Sequence, residues 1–247
     1  FDGALGIGLY LLSREYFTKQ KDYLLDLVGL IYNERKKVNS KNTTWLTAID
    51  KKADKEIYGS DFGIPHGIAG IILMLTKLFD NNINRKKLRL LLNPTINFLL
   101  IHKNEAGLGS IFPNKVDVSG KSINPSTSRI GWCYGDLGIS VALWHASKFL
   151  ERKDWELEAI NLLQHSSNRL DLSQNGIVDA GLCHGTAGIA HIFNRMYSFT
   201  EQSFLKETAL YWYDQTIKMA HFKDGLAGYK AWQGPSRGMV NEYGFLE

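Results

Sequence analysis

An all-α ring of inner and outer helical hairpins, an α/α-toroid, is the fold class this sequence predicts. Two observations carry it: one glycine-anchored element recurs four times, and amphipathic segments of helical period alternate with the copies. A third bounds it. With 247 residues, 44% of them apolar, the chain can fill one sizeable core, so 1–247 reads as a single partial toroid domain.

The recurring element is Gly-x-x-Gly-Ile followed by apolar residues: "GALGIGLYLL" from Gly3, "GIAGIILML" from Gly67, "GDLGISVALW" from Gly135 and "GTAGIAHIF" from Gly185. Each run is apolar nearly all round, as a helix buried between other elements should be, so these are the expected inner helices. The outer helices are expected in Tyr16–Lys37, Arg85–Lys103, Asp154–Leu170 and Ser203–Ala220, where apolar residues recur every three or four positions with charge between. Pro94 should kink or break the second of these. The stretches Glu105–Gly131 and Phe222–Gly244 are rich in Gly, Pro, Ser and Asn, and are expected to hold short hairpins. The chain starts at Phe1 without a methionine and stops at Glu247 within a motif, so both ends read as cut and the ring as incomplete.

Composition excludes several function classes. The 29 basic and 25 acidic residues are scattered, and "NERKK" and "NRKKLR" read as solvated helix faces rather than a nucleic-acid footprint. The longest apolar run, Gly67–Leu75, is about half the eighteen or so residues a spanning helix needs, so no transmembrane segment is expected. Two cysteines are too few for a disulfide framework and fit a reduced, cytoplasmic setting.

Chemistry is expected where inner helices begin, at the mouths of the repeats. Aligned on the first glycine, His66, Tyr134 and His184 stand directly before Gly67, Gly135 and Gly185, with Pro65, Cys133 and Cys183 one place further out. In a closed ring these mouths share one end of the cavity. Two soft thiolates and an imidazole suit zinc (Zn2+), and three protein ligands with a fourth position open is the pattern of a catalytic site. Cys133, Cys183 and His184 are the expected ligands; the plainer reading is two inert buried cysteines and a hydrogen-bonded histidine. Asp136, in the first turn of a helix, is explained by the helix dipole alone. Asp61 and Asp179 lie near the mouths, but no carboxylate pair at matching repeat positions stands out.

"RIGWCYG", the later "CHG", the earlier "HG" opening an inner helix and the repeated Gly-x-x-Gly-Ile together resemble the lanthionine synthetase C-like (LanC) cyclases, from end to end of the chain. The resemblance implies an α-toroid whose zinc is held by Cys133, Cys183 and His184. The implied activity adds a peptide cysteine thiol to dehydroalanine or dehydrobutyrine, giving lanthionine or methyllanthionine rings. It further implies that Arg129 matches the family's arginine before the first zinc cysteine, Tyr134 the tyrosine after it, and His66 the histidine acting as general acid or base. The family's catalytic aspartate is expected upstream of Phe1, and Asp2 does not take its place. Implied partners are a dehydrated precursor peptide with free cysteines, a dehydratase and an exporter, in a complex peripheral to the membrane. Two enzyme-free or unrelated alternatives stand beside this reading: a zinc- and glutathione-binding module without cyclase activity, and an α/α-barrel glycosidase, which would need two opposed carboxylates.

Overall fold

Each Gly-x-x-Gly copy opens a helix. The computed structural model describes residues 3–14, 20–52, 55–105, 109–123 and 128–242. In chain order the inner helices are α1 (Gly3–Leu12), α3 (Ile68–Asp80), α5 (Asp136–Leu150) and α7 (Thr186–Thr200), and the outer ones α2 (Gln20–Asn33), α4 (Arg85–Leu100), α6 (Lys153–Ser167) and α8 (Ser203–Lys218). Each inner helix pairs with the outer helix that follows it, and α1, α3, α5 and α7 pack side by side as the inner layer of an α/α-toroid.

Burial separates the two layers as the sequence pattern requires. In α3, Ile68, Ala69, Gly70, Met74 and Thr76 are buried on all but one narrow face of the helix, and α5 is enclosed in the same way. In α6 the buried residues are Trp155, Ala159, Leu162, Leu163, Ser166 and Ser167, and in α8 Leu205, Thr208, Ala209 and Trp212. Each fully buried Leu or Ile contributes about 1.5–3 kcal/mol, so the outer helices are held by these stripes rather than by propensity. The second glycine of the repeat has a packing cause. A Cβ on Gly70 would sit 2.0 Å from the Ile64 carbonyl oxygen, and one on Gly188 2.0 Å from that of Leu182. Only glycine lets the inner helix lie against its own mouth.

Three expectations change. The first copy is not enclosed: of α1 only Gly8 is buried, while Ile7 and Tyr10 are 63% and 59% exposed, because α1 packs mainly on α2 and α3. The break at Pro94 does not occur, and α4 runs through it as one helix. The missing N–H would have bonded the carbonyl of Leu90, which lies on the solvent face. Strands also appear ahead of α3, where none was expected: β1 (Lys36–Lys37) pairs with β2 (Thr43–Thr44), and β3 (Thr47–Lys52) with β4 (Lys55–Asp61). In the two expected stretches, β5 (Lys115–Asp117) joins the antiparallel order β3-β4-β5, and β6 (Ala231–Trp232) pairs with β7 (Met239–Val240). The β4 strand matters most for the site. It ends at Asp61, opposite Lys115, and delivers the chain directly into the mouth of α3. No helix among the described residues is long and apolar enough to cross a membrane.

Candidate metal centre

Three mouths are built on one seven-residue segment: "DFGIPHG" (61–67), "RIGWCYG" (129–135) and "DAGLCHG" (179–185). Asp61 and Asp179 therefore do occupy matching repeat positions, contrary to expectation, each six places before its mouth glycine. Each carboxylate closes its own turn. Asp61 Oδ1 accepts the Gly63 N–H at 2.7 Å, and Asp179 Oδ1 accepts that of Gly181 at 3.0 Å. Aspartate favours such local turns because its short side chain reaches the backbone two residues on. Asp179 uses its other oxygen on the Trp232 N–H at 2.9 Å, tying the β6–β7 hairpin to the mouth. In the middle segment Arg129 stands at the equivalent position.

Neighbouring mouths are stitched by backbone hydrogen bonds at equivalent places. Ile64 N–H donates to the Cys133 carbonyl and Trp132 N–H to the Cys183 carbonyl, both at 3.0 Å. This ladder brings residues far apart in sequence to one end of the ring. The Sγ atoms of Cys133 and Cys183 and a ring nitrogen of His184 all lie within 4.8 Å of one another. Cys133 is buried, and Cys183 and His184 are half-buried. Ligands around a tetrahedral zinc with bonds of about 2.0–2.3 Å stand roughly 3.5–4 Å apart, so small side-chain movements fit this donor set to the ion.

The electrostatics of the two thiols set them apart. The two sulfurs share a hydrogen bond that pulls Cys183 down to about 5, helped by a hydrogen bond and charge from His184 and by the charge of Arg129, against burial. The same bond pushes Cys133 up, with burial and the Cys183 charge adding to it. The pair thus holds one proton between two sulfurs, the second sulfur being the one a metal must deprotonate.

The remaining predicted residues lie on the same mouths. Arg129 is exposed, and its charge acts on both thiols. Tyr134 is half-buried, and its hydroxyl lies 3.4 Å from Asp61 Oδ2. Burial, then the Asp61 charge, push its phenol up to about 12. His66 is exposed at the mouth of α3, and its charge acts on the Asp61 carboxylate. Asp2 lies outside the described residues. Asp136 is structural as expected, although its work exceeds a dipole contact: buried, it accepts the N–H groups of Ile111 and Phe112 at 2.8 and 2.9 Å and faces Arg169 at 3.6 Å.

The family described as lanthionine synthetase C-like protein matches residues 1–247. The chain belongs to this family. No curated protein sequence matches. Among solved structures the chain is similar to a nisin cyclase, with TM-score 0.72 and 18% identity over 88% of this chain and 56% of that one. A D-mannose isomerase follows at TM-score 0.62 and 13% identity, covering 88% and 58%. A GH76 α-mannanase of Bacteroides thetaiotaomicron aligns at TM-score 0.58 and 12% identity, covering 88% and 56%. At these identities the likeness is one of fold. The chain spans somewhat more than half the length of each of these structures.

Proposed function

We propose that this chain is the metal-binding part of a zinc-dependent peptide cyclase that forms lanthionine and methyllanthionine thioethers. The observation that carries this reading is the Cys133–Cys183–His184 trio, within 4.8 Å at the meeting of two helix mouths. Membership of the LanC-like family and the fold shared with a nisin cyclase support it. Cys133, Cys183 and His184 would hold the zinc, whose contribution is to keep a substrate thiol deprotonated near neutral pH, where a free thiol of pKa about 8.5 is mostly protonated. Two thiolate ligands and a neutral imidazole cancel the ion's charge, so the donor set leaves a substrate thiolate electron-rich.

The chain's own residues then manage the proton and the charge. The substrate sulfur bonds to the β carbon of the dehydro residue, the double-bond electrons move to the α carbon and carbonyl oxygen, and the resulting enolate needs a proton. His66 delivers that proton to the α carbon. Arg129 stabilises the negative charge on the oxygen, and Tyr134 adds a hydrogen bond beside them. A dehydrated precursor peptide is the substrate, and a dehydratase and an exporter are the partners we propose, in a cytoplasmic complex at the membrane surface. A glycosidase reading finds less support. Asp61 and Asp179 both spend an oxygen on their own turns, and Asp179 spends its second on Trp232.

Cyclisation leaves the peptide mass unchanged, so it is read as the loss of alkylatable thiols on a dehydrated peptide. His66→Ala is expected to keep zinc and to slow ring formation by about 10²–10⁴-fold, the usual contribution of a positioned acid. Unchanged ring formation would remove His66 from the proton-transfer role. Zinc and thiol-peptide retention by the wild type without ring formation would favour the thiol-binding alternative.

A further inference from the structure

We propose that Asp61 is a positioning residue that commits the Tyr134 hydroxyl proton, so that Tyr134 meets the substrate as a hydrogen-bond acceptor. The proposal deepens the cyclase reading and rests on it for the role of Tyr134, though the side-chain pair itself does not.

The geometry is that of a built seat. Asp61 is 3% exposed. Its Oδ1 is occupied by the Gly63 N–H at 2.7 Å, which fixes the carboxylate plane. Its Oδ2 faces the Tyr134 hydroxyl at 3.4 Å and the Lys115 ammonium at 4.0 Å. The register of β4 and β5 sets Lys115 directly opposite Asp61, so that cation is held by the sheet. Gly63 shapes the rest of the seat: a Cβ there would lie 2.9 Å from two carbons of the Tyr134 ring and 2.4 Å from the Cys133 carbonyl. The α3 mouth therefore both receives the Tyr134 ring and bonds its hydroxyl.

The chemical consequence follows from donor counting. An ionised carboxylate only accepts, so Tyr134 must donate to it. A phenol has one proton. Once that proton is spent on Asp61, the phenol oxygen can offer only lone pairs to anything entering the mouth beside Cys133. The matching partner is an N–H, such as the backbone amide of the peptide carrying the dehydro residue. Tyr134 is thereby an acceptor rather than a second donor to the enolate oxygen beside Arg129. It also gives the "DxG" of the segment before α3 a function beyond turn formation.

The test is a double-substitution cycle with a spectroscopic arm. Asp61→Asn keeps an oxygen for the Gly63 N–H but turns an amide donor toward Tyr134. Asp61→Asn and Tyr134→Phe are each expected to lower kcat of ring formation about tenfold, the worth of one positioned hydrogen bond, with zinc content unchanged. The doubly substituted protein is expected to lose no more than either alone. Losses that multiply would overturn the proposal. In protein carrying carbon-labelled tyrosine rings, the resonance that disappears in Tyr134→Phe is expected to lie, in the wild type, where a phenol donating to a carboxylate lies, and to move in Asp61→Asn. A wild-type resonance at the position of a solvated tyrosine, or one that Asp61→Asn leaves unmoved, would overturn the pair whatever the assay shows. If the wild type forms no rings while the resonance behaves as expected, it is the cyclase reading that has failed.

Discussion

The segments 61–67 and 179–185 carry the same Asp, Gly, His and Gly at the same positions, yet only one of them belongs to the metal cluster. Their backbones solve the same problem in the same way. In each, an aspartate closes the turn onto its glycine N–H, and a glycine one turn into the helix lies against the mouth's carbonyl. Apart from the apolar exchanges Phe62/Ala180 and Ile64/Leu182, what differs is the residue before the histidine, Pro65 in one and Cys183 in the other. The histidines part accordingly: His184 joins two sulfurs, whereas His66 stays exposed beside Asp61. The fold decides where a histidine stands, and the preceding side chain decides whether it has a sulfur beside it to complete a donor cluster.

The strongest way to break that comparison is to make the segments more alike. Cys183→Pro is expected to abolish zinc binding and ring formation, as read by elemental analysis and thiol alkylation, because two ligands are too few. The reverse change, Pro65→Cys, is expected to leave zinc at one ion per chain, since it adds a thiol beside His66 without a second sulfur.

The shared backbone supplies the next test. Gly70→Ala and Gly188→Ala should each cost about 3 kcal/mol, seen as a lowered Tm, because the new methyl group has nowhere to go. Gly29, in the interior of α2, has nothing within 4 Å of a built Cβ, so Gly29→Ala should instead stabilise by about 0.5–1 kcal/mol.

The smallest effect concerns pH. His145 in α5 is held below its ordinary 6.5 first by burial, then by the charges of Lys77 and Arg195. A lowered folded value means the unfolded chain binds the proton more readily. Its effect on stability is therefore absent above about pH 6.5 and grows as a loss when pH falls below it. His145→Gln should flatten that acid-side slope in denaturant titrations between pH 6.5 and the folded value. An unchanged slope would place the acid sensitivity elsewhere.

The toroid was legible because its signal is redundant: four glycine-anchored apolar runs alternate with stripes such as Leu88, Leu91, Leu92 and Ile96. The Cys133–Cys183–His184 cluster was legible because its cysteines share one repeat position and its histidine stands at the next. Asp61 and Asp179 escaped because they lie six places before the mouth glycine, beyond the two columns compared, although "DxGxxHG" spells the match. The β3–β4 pair escaped because its hairpin end carries the exposed charges Asp50, Lys51, Lys55 and Glu56, and few apolar side chains such as Ile49 face inward to mark a strand. Pro94 misled because a lost hydrogen bond matters little where the orphaned carbonyl faces water.

The central claim is that Cys133, Cys183 and His184 form one three-ligand centre with a position left for a substrate thiol. The most direct measurement is metal content of the purified chain, followed by cobalt substitution and titration with a small thiol. One ion per chain is expected, absent in Cys133→Ser and Cys183→Ser, with thiolate-to-cobalt absorption that rises when the thiol is added. A chain without metal, metal retained in both serine variants, or absorption indifferent to added thiol would contradict the account.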